Sequence, residues 1–189
     1  MTTMDKTATW TIDPAHTEIG FAVRHLMLST VRGRFGAVTG SVTVDEKDPN
    51  SAKVDVTIDV TSIDTRQEGR DNHLRSADFF DVATYPTMHF VSKRIEADVT
   101  GTFRVIGDLT IKGTTREVAL DVTLEGRAID PWGNDRVGFS ATGKLNRADF
   151  GLTWNQALET GGVVVGDEIK LSIDAELVRQ AAASVSAAA

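Results

Sequence analysis

Residues 118–124 read Val-Ala-Leu-Asp-Val-Thr-Leu, with Val118, Leu120, Val122 and Leu124 alternating with small or polar residues. A period of two puts successive side chains on opposite faces of an extended chain, so this stretch reads as a strand with one apolar and one wet face. Working outward, the period returns at Val137, Phe139, Ala141 and Leu145 and at Ile169, Leu171, Ile173 and Leu177. Toward the N-terminus it recurs at Val54, Val56, Ile58 and Val60, at Val38, Val42 and Val44, and at Ile19, Phe21 and Val23. Adding residues 87–99 and 101–111 gives about eight to ten strands, mostly antiparallel. Turn-forming clusters join them at Asp48-Pro49-Asn50, from Asp98 to Gly101 and from Asp130 to Asp135.

An all-β chain of such strands closes most economically into an extended antiparallel up-and-down barrel, which leaves no free edge. A two-sheet sandwich is the alternative. Glycines at 20, 33, 36, 40, 107, 138 and 143 lie in or beside strands. There they permit sharp bends and close approach, and the curvature they allow favours the barrel. Gly36 and Gly40 read equally well as plain turn residues.

With 189 residues, 41% hydrophobic and 25% charged, the chain fits one globular domain able to bury a sizeable core. We assign residues 1–180 to that domain and 181–189 to an Ala/Ser-rich tail with no apolar stripe to bury. A net charge of −7 argues against a general nucleic-acid binder, which needs a basic face for phosphates. The absence of cysteine excludes disulfides and thiolate metal sites. No apolar run approaches the ~20 residues that span a bilayer, so no integral membrane segment is expected. The first residues, MTTMDKTATWTID, lack the apolar run of a secretory signal and imply a cytoplasmic protein. A periplasmic or secreted mature form, its signal removed, is the alternative.

One segment breaks the alternation, residues 65–90, TRQEGRDNHLRSADFFDVATYPTMHF. Thr65-Arg66-Gln67-Glu68 has the capping-box pattern of a helix start. Leu74 and Ala77 give the helix a thin apolar stripe, and Gly69 costs it about 1 kcal/mol relative to Ala. Phe79, Phe80 and Tyr85 are the side chains that can anchor it, and Pro86 returns Tyr85 to extended backbone. The segment reads as a lid.

The four histidines, 16, 25, 73 and 89, lack the spacing of a metal pair, and no metal is expected. His73 shares a helix face with Arg70 and reads as solvated surface; His89 lies on the wet parity of its strand. His25 and Arg147 instead continue apolar parities, where a polar group needs a partner. Asp149, two residues on, is the candidate partner of Arg147. Either residue alone reads as part of a structural ion pair or as a ligand contact; together with an apolar interior they describe a pocket with a few convergent polar groups. No nucleophile elbow, phosphate loop or metalloprotease helix is present, and Gly161 to Gly166 leads into a strand rather than a helix, so it lacks anion-binding geometry. No catalytic residue and no cofactor are expected.

From Trp10 to about Val178 the sequence closely resembles the YceI-like family of bacterial lipid-binding proteins. The likeness rests on IDPAHTEIGFAVRHLMLSTVRGRF, TRQEGRDNHLRSADFFDVATYP, VIGDLTIKGTTREV, LNRADFGL and VGDEIKLSIDAEL, in that order. It implies a lipocalin-like barrel covered by one short helix, often a homodimer, that binds polyisoprenoids, isoprenoid quinones or other long-chain amphiphiles. Many relatives begin with a secretory signal, and this chain departs from them there. The resemblance implies a chamber and lid, which we assign to Phe21, Val23, Phe35, Leu74, Phe79, Phe80, Phe90, Leu109, Leu120, Phe139 and Trp154. We assign the polar head group to His25, Arg147 and Asp149. Binding and sequestration or transport of such a ligand is the expected function. An enzyme on a lipidic substrate, using His25 or His73, and a structural barrel with a filled core are the alternatives.

Overall fold

The computed structural model of the chain describes residues 7–97, 101–159 and 161–181. Residues 98–100 of the expected turn and 182–189 of the expected tail lie outside this set. Among the described residues there are eleven strands: β1 (Thr7–Ile12), β2 (Glu18–His25), β3 (Ser29–Phe35), β4 (Val38–Asp45), β5 (Asp48–Asp59), β6 (Ile63–Asp64), β7 (Thr87–Ala97), β8 (Thr102–Ile111), β9 (Thr114–Ile129), β10 (Asp135–Asn146) and β11 (Val165–Arg179). One α-helix, α1 (Glu68–Arg75), follows β6.

Eight of these strands close a ring, β1-β4-β5-β7-β8-β9-β10-β11 and back to β1, every pairing antiparallel. This is the lipocalin-like barrel. The long strand β11 is shared: Leu177–Arg179 pair with β1, while Val165–Asp174 pair with β2. β1 and β2 are in effect one strand interrupted at Asp13-Pro14. The Asp13 carboxylate accepts from the Ala15 amide at 3.0 Å and caps the 3-10 turn Pro14–His16, and Pro14 has no amide to donate to a ladder. Beyond the break, β2, β3 and β6 diverge from the ring, and the chain from α1 to Pro86 covers the gap. There the Lys112 ammonium donates to the Ala77 carbonyl at 2.9 Å, and the Tyr85 ring lies against Gly113.

Several local expectations are corrected. Asp48-Pro49-Asn50 is strand; the β4–β5 turn falls at Glu46-Lys47, because Asp45 pairs with Asp48. The helix cap is Gln67, not Thr65. Arg66, with φ of 63°, kinks the chain between them, and Glu68 thereby becomes the first helical residue. Thr65 is buried instead, its hydroxyl donating to Asp71 at 2.5 Å and accepting from the Arg70 guanidinium at 2.7 Å. Arg70 is thus a clamp on the lid's base rather than a solvated residue. Ala77 lies beyond the helix end at Arg75.

Candidate ligand chamber

The apolar parities of β2, β5, β9, β10 and β11 all turn inward and enclose a cavity of about 530 Å³. Its wall includes Phe21, Val23, Val54, Val56, Leu120, Val122, Phe139, Leu171 and Ile173. These residues are only half-buried although they face the interior, so the surface they expose is chamber wall. Gly33 and Gly107 make room along it: a Cβ on Gly33 would fall 2.3 Å from the Phe21 ring, and one on Gly107 2.6 Å from the Phe90 ring. Toward the lid the packing becomes dry, with Val38, Val60, Ile63 and Phe150 at most 2% exposed.

Of the eleven residues assigned to chamber and lid, ten line the cavity: Phe21, Val23, Phe35, Leu74, Phe79, Phe80, Phe90, Leu109, Leu120 and Phe139. Phe80 stands edge-on to Phe35 at 5.9 Å between centroids, and Phe35 meets Phe21 at 5.5 Å. Trp154 does not line the cavity. It packs behind the lid on His73 at 4.7 Å and Phe79 at 5.3 Å. His73 is thereby wedged between aromatic rings, with Nε2 2.8 Å from the Asp78 carboxylate, and is less solvated than its polar helix suggests. His89, expected on the wet parity of its strand, is half-buried and lies 2.8 Å from Asp55.

The polar assignments separate. Arg147 lines the chamber and is buried, as its parity requires, but its partner is Asp167 at 3.1 Å rather than Asp149. β10 ends at Asn146 and a 3-10 turn, Arg147–Phe150, follows, so the two-residue parity no longer holds and Asp149 points to solvent. The Arg147 guanidinium donates to the carbonyls of Leu152 at 2.6 Å, Trp154 at 2.8 Å and Gly166 at 2.9 Å. It stitches the loop after the turn to β11. Neither His25 nor Asp149 lines the cavity.

Charged side chains that sequence reasoning missed gather at the opposite end, the rim. Asp45, Glu46 and Arg127 line the cavity there beside buried Trp10. The Arg127 and Arg179 guanidinium carbons lie 5.1 and 5.9 Å from the Trp10 ring centroid. Arg127 donates to Asp135 at 2.8 Å and Arg179 to Glu46 at 2.9 Å. The hydrogen bond from Arg127 holds the Asp135 carboxyl below its ordinary range, and Asp135 in turn raises Arg127. These residues come from β1, β4 and the turn after it, β9, β10 and β11, too far apart in sequence for any local motif to join them.

A second cluster lies where β1 breaks. Asp13, His16 and Glu176 bring three ligand atoms within 4.8 Å of one another. The Arg136 guanidinium sits among them, bonding Asp13 at 2.7 Å, Asp130 at 2.7 Å and Glu176. That group already supplies the cation, so the carboxylates are not free for a metal. Its hydrogen bond, with one from His16, lowers the Asp13 carboxyl to about 2.

Comparison with known proteins agrees with this geometry. A UPF0312 protein of Staphylococcus epidermidis is 43% identical over 165 residues, covering 87% of this chain and 94% of the relative. The crystal structure of the Campylobacter jejuni YCEI protein superposes with a TM-score of 0.72 at 33% identity, covering 84% of this chain and 90% of that one. A polyisoprenoid binding domain from Saccharophagus degradans, implicated in plant cell wall breakdown, shares the fold with a TM-score of 0.63 at 15% identity, over 90% and 98% of the two chains. The YceI-like domain matches residues 10–177, and the chain belongs to that family.

Proposed function

We propose that the protein binds a long-chain amphiphile, a polyisoprenoid or isoprenoid quinone, and sequesters or carries it in the barrel. The half-buried inward wall carries this reading. A barrel filled by its own side chains would bury Val54, Leu120 and Ile173, yet they remain accessible within a cavity they themselves line. Its volume of about 530 Å³ falls in the range of small-molecule sites, about 300–1,000 Å³. Each methylene moved from water to that wall contributes about 0.8 kcal/mol. A ten-residue strand rises ~33 Å, and at a tilt of about 40° the barrel is roughly 25 Å tall, so a long prenyl chain folds back or emerges from an end. The polyisoprenoid binding domain of Saccharophagus degradans supports the ligand class. Its polar head would meet water beside Asp45, Glu46 and Arg127.

The test is mass spectrometry of a solvent extract from purified protein, followed by uptake of added prenols. Bound or absorbed prenyl lipid is the expected result. Protein that carries none and takes up none overturns the reading. Replacing Phe79 and Phe80 by Ala should speed ligand loss; unchanged exchange kinetics would remove the lid from the account.

A further inference from the structure

The β2–β3 hairpin ends in His25-Leu26-Met27-Leu28, closed by a hydrogen bond from the Leu28 amide to the His25 carbonyl at 3.0 Å. Leu26 and Met27 have φ of 52° and 57°, the left-handed backbone that such turns ordinarily give to Asn and Gly. Here that geometry is imposed on apolar residues, and it projects Met27 and Leu28 into solvent, 62% and 81% exposed. The Leu26 amide donates to the Val164 carbonyl at 2.8 Å, and Arg24 donates to the Met27 carbonyl at 2.6 Å, so the tip is held from both sides. Exposed Val163 lies beside it. Single exposed apolar residues mean little, but a braced apolar tip is different.

The charge beneath the tip runs against that of the whole chain. Lys170 pairs with Ala22, and Ala22 with Arg32, so Lys170 and Arg32 flank a small residue across three adjacent strands. Arg24, one pair nearer the tip, bonds only Thr30 and the Met27 carbonyl. Among the described residues none of these three cations has an acidic partner, although the chain carries a net charge of −7. The neighbouring acids are engaged elsewhere: Glu18 and Asp64 by Arg34, Glu168 by Lys144 and Asp167 by Arg147. Among the described residues two exposed acids nearby have no ion-pair partner, Glu159 on the loop before β11 and Asp174 further along the same face of β11.

We propose that this end docks on an anionic lipid bilayer, the Met27-Leu28 tip entering the interface while Arg24, Arg32 and Lys170 face the headgroups. Apolar side chains beside a cationic face are the composition that binds such surfaces. The chamber wall reaches the base of the tip, since Val165 lines the cavity and pairs with His25. Docking would therefore set the lid end of the barrel, opposite the charged rim, on the membrane, and it stands independently of the proposed lipid binding.

Sedimentation with vesicles tests it. Ligand-free protein should bind phosphatidylglycerol–phosphatidylcholine vesicles and leave phosphatidylcholine vesicles alone. Arg32→Gln and Lys170→Gln should each weaken binding roughly fivefold. Met27→Ser with Leu28→Ser should weaken it by about tenfold or more, with circular dichroism unchanged. No binding by the unmodified protein, or equal binding by the tip variant, overturns the proposal. So does sedimentation velocity showing a dimer that the tip variant dissolves, which would give the tip to a second copy of the chain. Prenol uptake, measured without vesicles, fails or succeeds independently of this result.

Discussion

At the lid end Arg147 is buried and donates to main-chain carbonyls on the loop after its turn and on β11. At the rim Arg127 and Arg179 are partly exposed and bond the carboxylates of Asp135 and Glu46 over the face of Trp10. Main-chain carbonyls are fixed by the sheet and loop that own them, whereas carboxylates at a wet rim can exchange partners with water. One end of the barrel is therefore pinned, and the other is closed by interactions that open at small cost.

The largest expected effect follows from removing the pin. Arg147→Met leaves the carbonyls of Leu152 and Trp154 without their donor while Asp167 stays solvated, so stability should fall by about 2–6 kcal/mol in urea unfolding, at about 1–3 kcal/mol for each acceptor left unpaired. A loss under about 1 kcal/mol would make the two ends equivalent and break the comparison.

Between the ends, the chamber wall depends on missing side chains. Gly33→Ala puts a methyl 2.3 Å from the Phe21 ring and 2.8 Å from Thr65 Cγ2, an overpacking expected to cost about 1–3 kcal/mol. It should also shrink the chamber and reduce prenol uptake. Gly126 has nothing within 4 Å of the corresponding position, so Gly126→Ala is the control and should leave both stability and uptake near the starting values.

The alternation at Val118–Leu124 and its repeats made the strands, the barrel and most of the chamber wall legible, because a period of two follows from backbone geometry. The same parity carried Arg147 inward. It failed one step later, since the nearest acid in sequence is not the nearest in space once a strand has ended: a 3-10 turn sends Asp149 outward, and Asp167 arrives from β11. Thr65 failed similarly, its capping pattern displaced two residues by the kink at Arg66. The rim was illegible for another reason. Trp10, Glu46, Arg127, Asp135 and Arg179 meet through barrel closure, which pairs the first strand with the last, and nothing local in the sequence announces that pairing.

A smaller effect distinguishes the cluster at Asp13, which stands between pinned and loose. The hydrogen bond from Arg136, then that from His16, lowers the Asp13 carboxyl from 3.8 to about 2. A group depressed in the folded state contributes stability in full above its unfolded value and loses it as pH falls through the folded one. The contribution should therefore decline between pH 3.8 and about 2. Measured as the difference in urea midpoint between the natural protein and Arg136→Gln, it should shrink across that window. A difference independent of pH would show that Arg136 acts by packing alone.

The smallest effect on stability is expected at the rim, and there the comparison is sharpest. Arg127→Met removes a guanidinium from the Trp10 face and frees Asp135, yet Arg179 remains 3.6 Å from that carboxylate, so the cost should stay within about 0–1 kcal/mol. Ligand release should nevertheless become faster, because the side chain lines the chamber where it meets water. Stopped-flow displacement of a fluorescent prenol separates the two quantities. Faster release at unchanged stability identifies the rim as an exit beside the lid; unchanged release would leave the lid, opened by Phe79→Ala and Phe80→Ala, as the way out.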